Sequence, residues 1–308
     1  MPYPIEDKLV VAIASSAILT LDGARDAFRE GGVEAYRAFQ REHQDEPLAK
    51  GPAFAFIKRL LSFNRRFPDV APVEVVLISH NDPDTGLRVF NTLEHYGLDV
   101  TRSAFITGAA PHLYMDAFNA SLFLSKNVRD VEAAIAAGYP AGTVLPSVLN
   151  DDEDDPTLRI AFDFDGVLAD SSSEAVYREK GLAAFQEYER EHASVPCLPG
   201  PLADLFRKLG RLRALEAARA AAEPGYKPML ETSIVTARGV PAHVRVVNTL
   251  RNWDITVDRA FFLGGVDKGR ILSVLRPHIF FDDQEHPHLD VARDFSPSVH
   301  IPITAGRC

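Results

Sequence analysis

Two closely spaced carboxylates follow a mostly apolar stretch near the middle of the chain. The run from Leu158 to Phe162 is short enough for a buried strand, and Asp163 and Asp165 follow it. Because side chains alternate between the two faces of a strand, both carboxylates point the same way if the strand persists through them. Two like charges so placed are costly unless a cation or a reacting group offsets them. The pattern therefore predicts a chemical site rather than a solvated turn.

Three further segments, in chain order, supply groups that such a site would need. An apolar stretch ends in the hydroxyl of Thr236, and Lys268 follows a predicted strand and a short loop. The predicted strand 278–281 then ends in a second pair of acids, Asp282 and Asp283. Each segment is a weak signal by itself. The four together, in this order, predict one site built at the ends of several strands.

These four segments resemble the four motifs of the haloacid-dehalogenase-like phosphohydrolases. The resemblance implies that Asp163 is a nucleophile, which attacks phosphorus and forms an aspartyl-phosphate. Asp165 would protonate the leaving oxygen and then activate water. Thr236 would hold the phosphoryl oxygens, and Lys268 would balance their charge. An acid at the second motif position is typical of phosphatases and phosphomutases, whereas transport ATPases of this superfamily carry threonine there.

The same resemblance implies a Mg²⁺ ion, a cation that prefers hard oxygen ligands. Its expected ligands are Asp163, the backbone carbonyl of Asp165, and Asp282 or Asp283. The sequence leaves the choice between the last two open. The cation would screen the phosphate from the attacking carboxylate.

Further segments resemble the cytosolic 5′-nucleotidase I family over nearly the whole chain. The matching segments are 235–238, 248–253 and 276–284 in the C-terminal half, and 32–37 and 43–47 in the N-terminal half. This resemblance implies hydrolysis of nucleoside 5′-monophosphates to nucleoside and phosphate. The family pattern has glycine between the two aspartates of the first motif and alanine after them, where this chain has Phe164 and Gly166.

Substrate contacts are expected from the motifs and from a helical segment between them. The residues expected to contact substrate are Phe164, Thr236, Ala237, Arg238 and Lys268. The segment at about 171–228 is too long for a loop, and in the resembled superfamily an insertion here forms a helical cap that excludes water and selects the leaving group. Weaker candidates within the cap are Glu174, Tyr177, Phe185 and His192, because aromatic residues at helical spacing more often belong to the core.

The chain also contains an internal repeat. The matched segments are 34–43 with 183–192 and Gly32 with Gly181 at a register of 149 residues, and 91–93 with 248–250 at a register of 157. A period near half the chain predicts a duplicated domain rather than a solenoid. We therefore expect a degenerate, non-catalytic copy at 1–149 and a catalytic domain at 150–308.

The first copy lacks the reactive groups of the second. The replacements are Ala14 for Asp163, Ser16 for Asp165, Ser79 for Thr236, and Ser125 and Lys126 for Asp282 and Asp283, with His112 near the position of Lys268. The first copy is therefore not expected to perform the same reaction. Two alternatives remain for its polar residues Ser15, Ser16, Ser79 and Asn81: they bind a phosphate without a metal, or they only cap helices while this copy braces the other.

Strands alternate with helices in both halves, which predicts an α/β fold with parallel sheets and helices on both faces, that is, two Rossmann-like three-layer domains. The predicted strands are 9–14, 73–79, 104–106 and 121–125 in the first half and 158–163, 231–236, 260–263, 278–281 and 298–303 in the second. The predicted helices of the second half are 174–192, 201–222, 241–252 and 268–275. Right-handed crossovers place all strand carboxyl ends on one edge.

The composition argues against some classes of binding partner. The net charge of −10 over 308 residues argues against a nucleic acid polymer, whose binding needs a basic face. The apolar run 9–19 is too short to span a membrane and is expected to be a core strand. Cys197 and Cys308 form no disulfide framework, which favours a cytoplasmic location. The histidines His286 and His288 are expected in a surface loop, and a homo-oligomer is compatible with the sequence.

Three functions are compatible with the sequence. The first is a magnesium-dependent 5′-nucleotidase. The second is a related phosphatase or phosphotransferase that acts on another small phosphomonoester. The third is a regulatory protein that binds a nucleotide without turnover, although a binding protein has no need of a nucleophile and an acid together.

Overall fold

The computed structural model describes residues 3–147, 149 and 151–303. Their contacts divide the chain into two compact units, Met1–Val144 (unit 1) and Leu145–Cys308 (unit 2). Each unit alternates strands and helices along the chain.

Unit 1 is built around parallel strands. Its strands are β1 (Leu9–Ile13), β2 (Leu19–Thr20), β3 (Ala49–Lys50), β4 (Val73–Ser79), β5 (Arg102–Phe105), β6 (Leu122–Ser125) and β7 (Ala141–Val144). Its helices are α1 (Ser15–Ile18), α2 (Asp22–Glu42), α3 (Phe54–Arg66), α4 (Pro83–His95) and α5 (Val128–Ala136), with short 3-10 turns between some elements. The parallel strands lie in the order β5–β4–β1–β6–β7, and β2 pairs with β3 in an antiparallel ribbon.

The core of unit 1 follows from its central strand. Every residue of β1 is buried, as is usual for a parallel strand covered on both faces. Val10 and Ala12 pack with Phe123 of β6 and Val131 of α5. Helix α4 begins where the side chain of Asp82 accepts a hydrogen bond from a backbone N–H of its first turn, with proline at the first helical position.

Unit 2 has the same kind of alternation. Its strands are β8 (Leu158–Phe162), β9 (Leu230–Thr236), β10 (Arg259–Phe262), β11 (Ile279–Asp282) and β12 (Ser298–His300). Its helices are α6 (Ser172–Glu191), α7 (Ala203–Ala222), α8 (His243–Asn252), α9 (Lys268–Leu275) and α10 (Asp290–Ala292), preceded by a π-helical turn at Glu285–Leu289. The strands are parallel, in the order β10–β9–β8–β11–β12.

The register of unit 2 brings the predicted site residues to one edge. Phe162 at the end of β8 lies opposite Ile234 of β9 and Phe281 of β11. Asp163 therefore emerges beside the end of β11 and close to the end of β9, where Thr236 lies. This edge is where ligands bind in open parallel sheets.

One backbone feature occurs in both units. Helices α2 and α6 are each interrupted by a glycine with positive φ, Gly32 (φ 67°) and Gly181 (φ 79°). Their ψ angles of −155° and −178° complete a conformation that is essentially restricted to glycine. The two glycines are 149 residues apart, as the sequence repeat requires.

The structure confirms the predicted α/β class with parallel strands. The sequence did not predict β7, whose Ala-Gly-Thr-Val segment has no polar alternation to mark it as a strand. It also did not predict the ribbon of β2 and β3, since each of these strands has only two residues. The strand expected at 298–303 ends earlier, at His300.

Cysteine pairing and membrane insertion can also be checked against the fold. Cys197 is buried and is not in a disulfide, while Cys308 lies outside the described residues. None of the described helices combines the length and the apolarity that crossing a lipid bilayer requires.

Candidate active site

A buried lysine bridges two carboxylates at the strand ends of unit 2. The backbone N–H of Asp163 donates to the carbonyl of Phe281 at 2.8 Å, which fixes Asp163 beside β11. The Nζ atom of Lys268 lies 2.9 Å from Oδ2 of Asp163 and 2.7 Å from Oδ2 of Asp282. All three side chains are buried. Three of the residues predicted from sequence are thus in direct contact.

Lys268 is positioned by the start of α9. The preceding residue, Asp267, caps this helix by accepting a hydrogen bond from the N–H of Gly269 at 2.6 Å. Burial lowers the pKa of Lys268, but the charges of Asp163 and Asp282 outweigh burial and leave the pKa raised. Lys268 is therefore a permanent cation at this site.

The carboxyl groups around Lys268 outnumber it. Burial raises the pKa of Asp163 to about 7, against the opposing effect of Lys268 and with a further contribution from Asp282 and Asp165. Burial also disfavours ionisation of Asp282, but Lys268 and His288 lower its pKa. The cluster thus carries more potential negative charge than its one lysine balances.

Asp283 has an unusual environment. Both of its carboxylate oxygens are buried and have no hydrogen-bond partner among the described residues. Burial, followed by the charges of Asp163 and Asp282, raises its pKa to about 9. A Cβ atom at Gly166, whose φ is 71°, would lie 2.7 Å from Oδ2 of Asp283. The glycine of the first motif therefore leaves the space that this carboxylate occupies.

Two observations bear on a cation at this site, and they differ. Asp163, Asp282 and His288 each offer a ligand atom within 4.8 Å of the others. Asp282, however, already accepts hydrogen bonds from Lys268, from His288 (3.2 Å) and from the N–H of Gln284 (2.9 Å). The oxygens of Asp283 have no hydrogen-bond partner in the described part of the chain. A hard cation prefers oxygen to imidazole nitrogen, and Asp163 and Asp283 offer carboxylate oxygens for one.

The expectation of a surface loop for the two histidines was right for one of them only. The side chain of His286 is 74% exposed and pairs with Asp290. The side chain of His288 is 17% exposed and donates to Asp282 from within the π-helical turn. The spacing alone gave no sign of this contact, because it depends on how the turn folds back after β11.

A second charge cluster surrounds Arg238. Its guanidinium forms a bidentate pair with Asp165, with Nε and Nη2 each 2.7 Å from a carboxylate oxygen. On its other side it pairs with Glu189 of α6. Glu189 also accepts from Arg245 at 2.9 Å and from the hydroxyl of Ser173 at 2.7 Å. Burial lowers the pKa of Arg238, but Asp165 and then Glu189 outweigh it and raise that pKa.

Glu189 was not among the residues predicted from sequence. It lies in a helix with several other glutamates, and nothing in its spacing distinguishes it from a solvated residue. The internal repeat did contain a signal, since Glu189 corresponds to Gln40 in an otherwise similar run. Both side chains are buried, at 0% and 1% exposure.

The remaining motif residues lie close to these clusters. Phe164 is fully buried, its N–H donates to Oδ1 of Asp163 at 2.7 Å, and its ring centroid lies 5.3 Å from the guanidinium carbon of Arg238. Thr236 is buried and accepts from the N–H of Arg238 at 3.2 Å. Ala237 is exposed. Phe164 therefore lies beneath Arg238 rather than on an open surface.

Two of the cap candidates form an aromatic pair beside Arg238. The rings of Tyr177 and Phe185 are 6.1 Å apart in an edge-to-face arrangement. The ring of Phe185 lies 5.5 Å from the guanidinium carbon of Arg238, and Tyr177 is 50% exposed. The pair thus connects the charge cluster to the surface of the unit.

The other two cap candidates differ in their surroundings. Glu174 accepts from the side chain of Gln284 at 2.8 Å, which brings α6 next to the residue after Asp283. His192 bonds to the backbone carbonyl of Tyr188 and stacks on its ring. His192 therefore closes the end of its own helix.

A buried set of acids and a lysine at the strand ends of a parallel α/β unit is an arrangement suited to an enzyme site. The 5′-nucleotidase family model matches residues 1–307, and the chain belongs to this family. The predicted family is thereby confirmed.

One curated relative gives the similarity in numbers. The chain is 34% identical over 290 residues to human cytosolic 5′-nucleotidase 1B, an alignment that covers 92% of this chain and 47% of the relative. The chain therefore spans about half the length of this relative. No solved structure has significant similarity to the chain.

Proposed function

We propose that this chain is a magnesium-dependent 5′-nucleotidase that hydrolyses nucleoside 5′-monophosphates to nucleoside and phosphate. The observation that carries the proposal is the buried carboxyl group of Asp163, held by Lys268 beside two further acids. Membership of the 5′-nucleotidase family and the name of the human relative support the substrate class.

The donor set fits a hard divalent cation. Asp163, the backbone carbonyl of Asp165, and Asp283 would hold Mg²⁺, while Asp282 would keep Lys268 and His288 in place. The two oxygens of Asp283, which have no partner among the residues that the structure describes, support this assignment, because a buried carboxylate without partners is costly. When bound, the cation would reduce the repulsion between the substrate phosphate and the attacking carboxylate.

The side chains of this unit account for the reaction in two steps. A carboxylate oxygen of Asp163 attacks phosphorus, the bond from phosphorus to the ribose oxygen breaks, and that oxygen takes a proton from Asp165. Asp165 then removes a proton from water, which attacks the aspartyl-phosphate, releases inorganic phosphate and restores Asp163. Lys268 offsets the negative charge of Asp163 before the attack and of the phosphoryl group after it. The hydroxyl of Thr236 lies at the same strand edge for the phosphoryl oxygens.

Arg238 must change partner during this cycle. In the structure it holds both oxygens of Asp165, and an acid so held cannot deliver a proton to substrate. Phosphate oxygens are strong acceptors for a guanidinium and would compete with Asp165 for it. We infer that substrate draws Arg238 toward the phosphate and frees Asp165, while Glu189 keeps the guanidinium at this edge.

The helical segment at about 171–228 is proposed as the cap. Helices α6 and α7 occupy most of it, and Glu189 of α6 reaches Arg238. The paired rings of Tyr177 and Phe185 are suited to hold the nucleobase, because planar bases stack on aromatic side chains. The position of Phe185 next to Arg238 supports adjoining subsites for base and phosphate.

We further propose that the chain is a duplication, with a degenerate copy at 1–149 and the catalytic domain at 150–308. The shared strand order and the interrupted helices α2 and α6 support this proposal. Ala14 and Ser16 stand where the second copy has its two aspartates, so only the second copy would react. The word cytosolic in the name of the human relative supports a cytoplasmic location.

The test is phosphate release from a panel of ribo- and deoxyribonucleoside 5′-monophosphates, in Mg²⁺ and in EDTA. Release that requires Mg²⁺ and disappears in Asp163→Asn supports the proposal. Release from sugar phosphates but from no nucleotide would favour a different phosphomonoesterase. Tight nucleotide binding with no phosphate release would leave only a regulatory role.

A further inference from the structure

Unit 1 contains a cavity that the proposed reaction does not use. Its volume is about 500 Å³, within the range of small-molecule sites. It lies between α2, the segment that follows β4, and the loop after β5 at Thr107. Every group proposed for the reaction belongs to unit 2, so this cavity needs a separate account.

Two aromatic rings form one wall of the cavity. Phe28 and Tyr36 are 6.3 Å apart in an edge-to-face arrangement, and Phe28 is 52% exposed. At the register of 149 residues they correspond to Tyr177 and Phe185, whose rings are 6.1 Å apart in the same arrangement. Both units therefore present a matching aromatic pair from corresponding helices, α2 in unit 1 and α6 in unit 2. A pair that opens onto a cavity is suited to a planar heterocycle.

A polar side chain of the cavity has an unused donor. The Oδ1 atom of Asn81 accepts from the hydroxyl of Tyr36 at 2.9 Å, which orients the amide. The Nδ2 atom of Asn81 is buried and has no hydrogen-bond partner among the described residues. A buried donor without a partner costs stability, and a ligand that brings an acceptor would remove that cost. The ligand is therefore expected to carry a carbonyl oxygen or a ring nitrogen.

The charges around the cavity are already balanced. Each described cationic side chain that lines it has a carboxylate partner. The pairs are Arg37 with Asp82 (2.8 Å), Arg29 with Asp26 (3.3 Å) and His80 with Asp130 (2.8 Å). The hydroxyls of Ser15 and Ser79, which the sequence suggested for phosphate, lie 3.1 Å apart and bond to each other. These observations favour an uncharged ligand over a phosphate.

We propose that unit 1 binds a nucleoside in this cavity. The base lies against Phe28 and Tyr36, and one of its acceptors takes the free N–H of Asn81. The choice of a nucleoside among uncharged heterocycles rests on the proposed function, because the reaction in unit 2 releases a nucleoside and uses the same aromatic pair. The site performs no chemistry, since Ala14 and Ser16 replace the reactive acids.

The experiment is a calorimetric titration of the full chain with adenosine, inosine, cytidine and uridine. Nucleosides carry no phosphate, so the wild type can be used without turnover. Val33 lines the cavity and is 53% exposed, so Val33→Trp fills the space without disturbing the core. Val70, 54% exposed and not in the lining, provides the matched control Val70→Trp. Phe28→Ala is a second variant, expected to weaken binding about tenfold because base stacking is lost.

The proposal predicts a nucleoside site that is lost in Val33→Trp, weakened in Phe28→Ala and kept in Val70→Trp. It is overturned if no nucleoside binds, if Val33→Trp and Val70→Trp bind alike, or if this site accepts nucleoside monophosphates and refuses nucleosides. Phosphate release is measured separately. A Val33-sensitive nucleoside site in a chain without phosphatase activity would reject the proposed function and keep this one.

Discussion

Units 1 and 2 place corresponding residues along the same path but give them different charges. In unit 2, Arg245 binds Glu189, and Glu189 binds Arg238, which in turn holds Asp165. In unit 1, Arg88 donates to Gln40 at 3.1 Å, Gln40 donates to the hydroxyl of Tyr36 at 3.0 Å, and Tyr36 donates to Asn81. Arg88 is still charged in unit 1, but Gln40 and Asn81 are neutral where unit 2 has Glu189 and Arg238.

This difference indicates that the ionic network depends on Asp165, the proposed general acid. Asn81 is the counterpart of Arg238, and Ser16 is the counterpart of Asp165. A buried guanidinium at position 81 would lack the carboxylate that Asp165 supplies in unit 2, and an unpaired buried charge is expensive. Once that carboxylate is absent, the neutral amide of Asn81 costs less to bury than a guanidinium. We therefore propose that the buried charges of unit 2 serve the proposed reaction.

The largest expected effect comes from removing the nucleophile. Asp163→Asn should reduce phosphate release by about four orders of magnitude or more, because no aspartyl-phosphate can form. The reciprocal variant Ala14→Asp places one acid in unit 1 and should add no activity, since Lys126 and Ser125 stand where the second motif pair would be. Phosphate release under identical conditions measures both. Activity that persists in Asp163→Asn would place the reaction elsewhere.

A large effect on stability is expected at Glu189. Glu189→Gln leaves Arg238 and Arg245 with too little negative charge and should lower the free energy of unfolding by about 3 kcal/mol or more. Adding Arg238→Asn copies the pair found in unit 1 and should recover part of that loss. Urea unfolding of the two variants and of Arg238→Asn gives the coupling free energy. If the losses in the two single variants add up to the loss in the double variant, the proposed coupling between Glu189 and Arg238 is contradicted.

The acid cluster of unit 2 predicts that stability depends on pH. In metal-free protein the carboxyls of Asp163 and Asp283 keep their protons up to a pKa of about 7 and about 9, while in the unfolded chain they lose them near pH 4. Stability should therefore fall as pH rises from about 4 to 9, by up to about 1.4 kcal/mol per pH unit for each proton. Mg²⁺ should restore stability most strongly at the upper end of this range.

The control for this pH effect is Asp283→Asn, which removes one of the two raised groups. Thermal unfolding in EDTA and in Mg²⁺, from pH 5 to 9, should show a shallower slope and little Mg²⁺ stabilisation in this variant. An identical slope and an identical Mg²⁺ response in wild type and Asp283→Asn would rule out Asp283 as a ligand.

The smallest expected effects test what the two units share. Gly32→Ala and Gly181→Ala meet no atom within 4 Å, so their cost is backbone strain alone, about 1–3 kcal/mol each. Gly210 lies within the regular helix α7 with open space around it, so Gly210→Ala should stabilise by about 0.5–1 kcal/mol. Unfolding free energies compare all three. A clear difference between the losses in Gly32→Ala and Gly181→Ala would show that the two helix interruptions differ in backbone strain.

The residues that meet at the strand ends of unit 2 could be predicted from the sequence because their signals are local. Asp163, Lys268 and Asp282 each follow or begin an element that apolar periodicity identifies, and parallel strands bring their ends together. The partners of these residues were harder to predict. Glu189 reaches Arg238 across 49 residues, and His288 reaches Asp282 through an irregular turn. The cavity of unit 1 has no local signature, since it depends on the packing of α2 against the segment after β4.

The position of the phosphoryl group during turnover directly tests whether Asp163 is the nucleophile. Protein quenched with acid in the presence of nucleoside monophosphate and Mg²⁺ is treated with borohydride, which reduces an aspartyl-phosphate to homoserine, and is then mapped by peptide mass spectrometry. We predict homoserine at Asp163 and at no position of unit 1. A phosphoryl group on another residue, or none while phosphate is being released, would contradict the account.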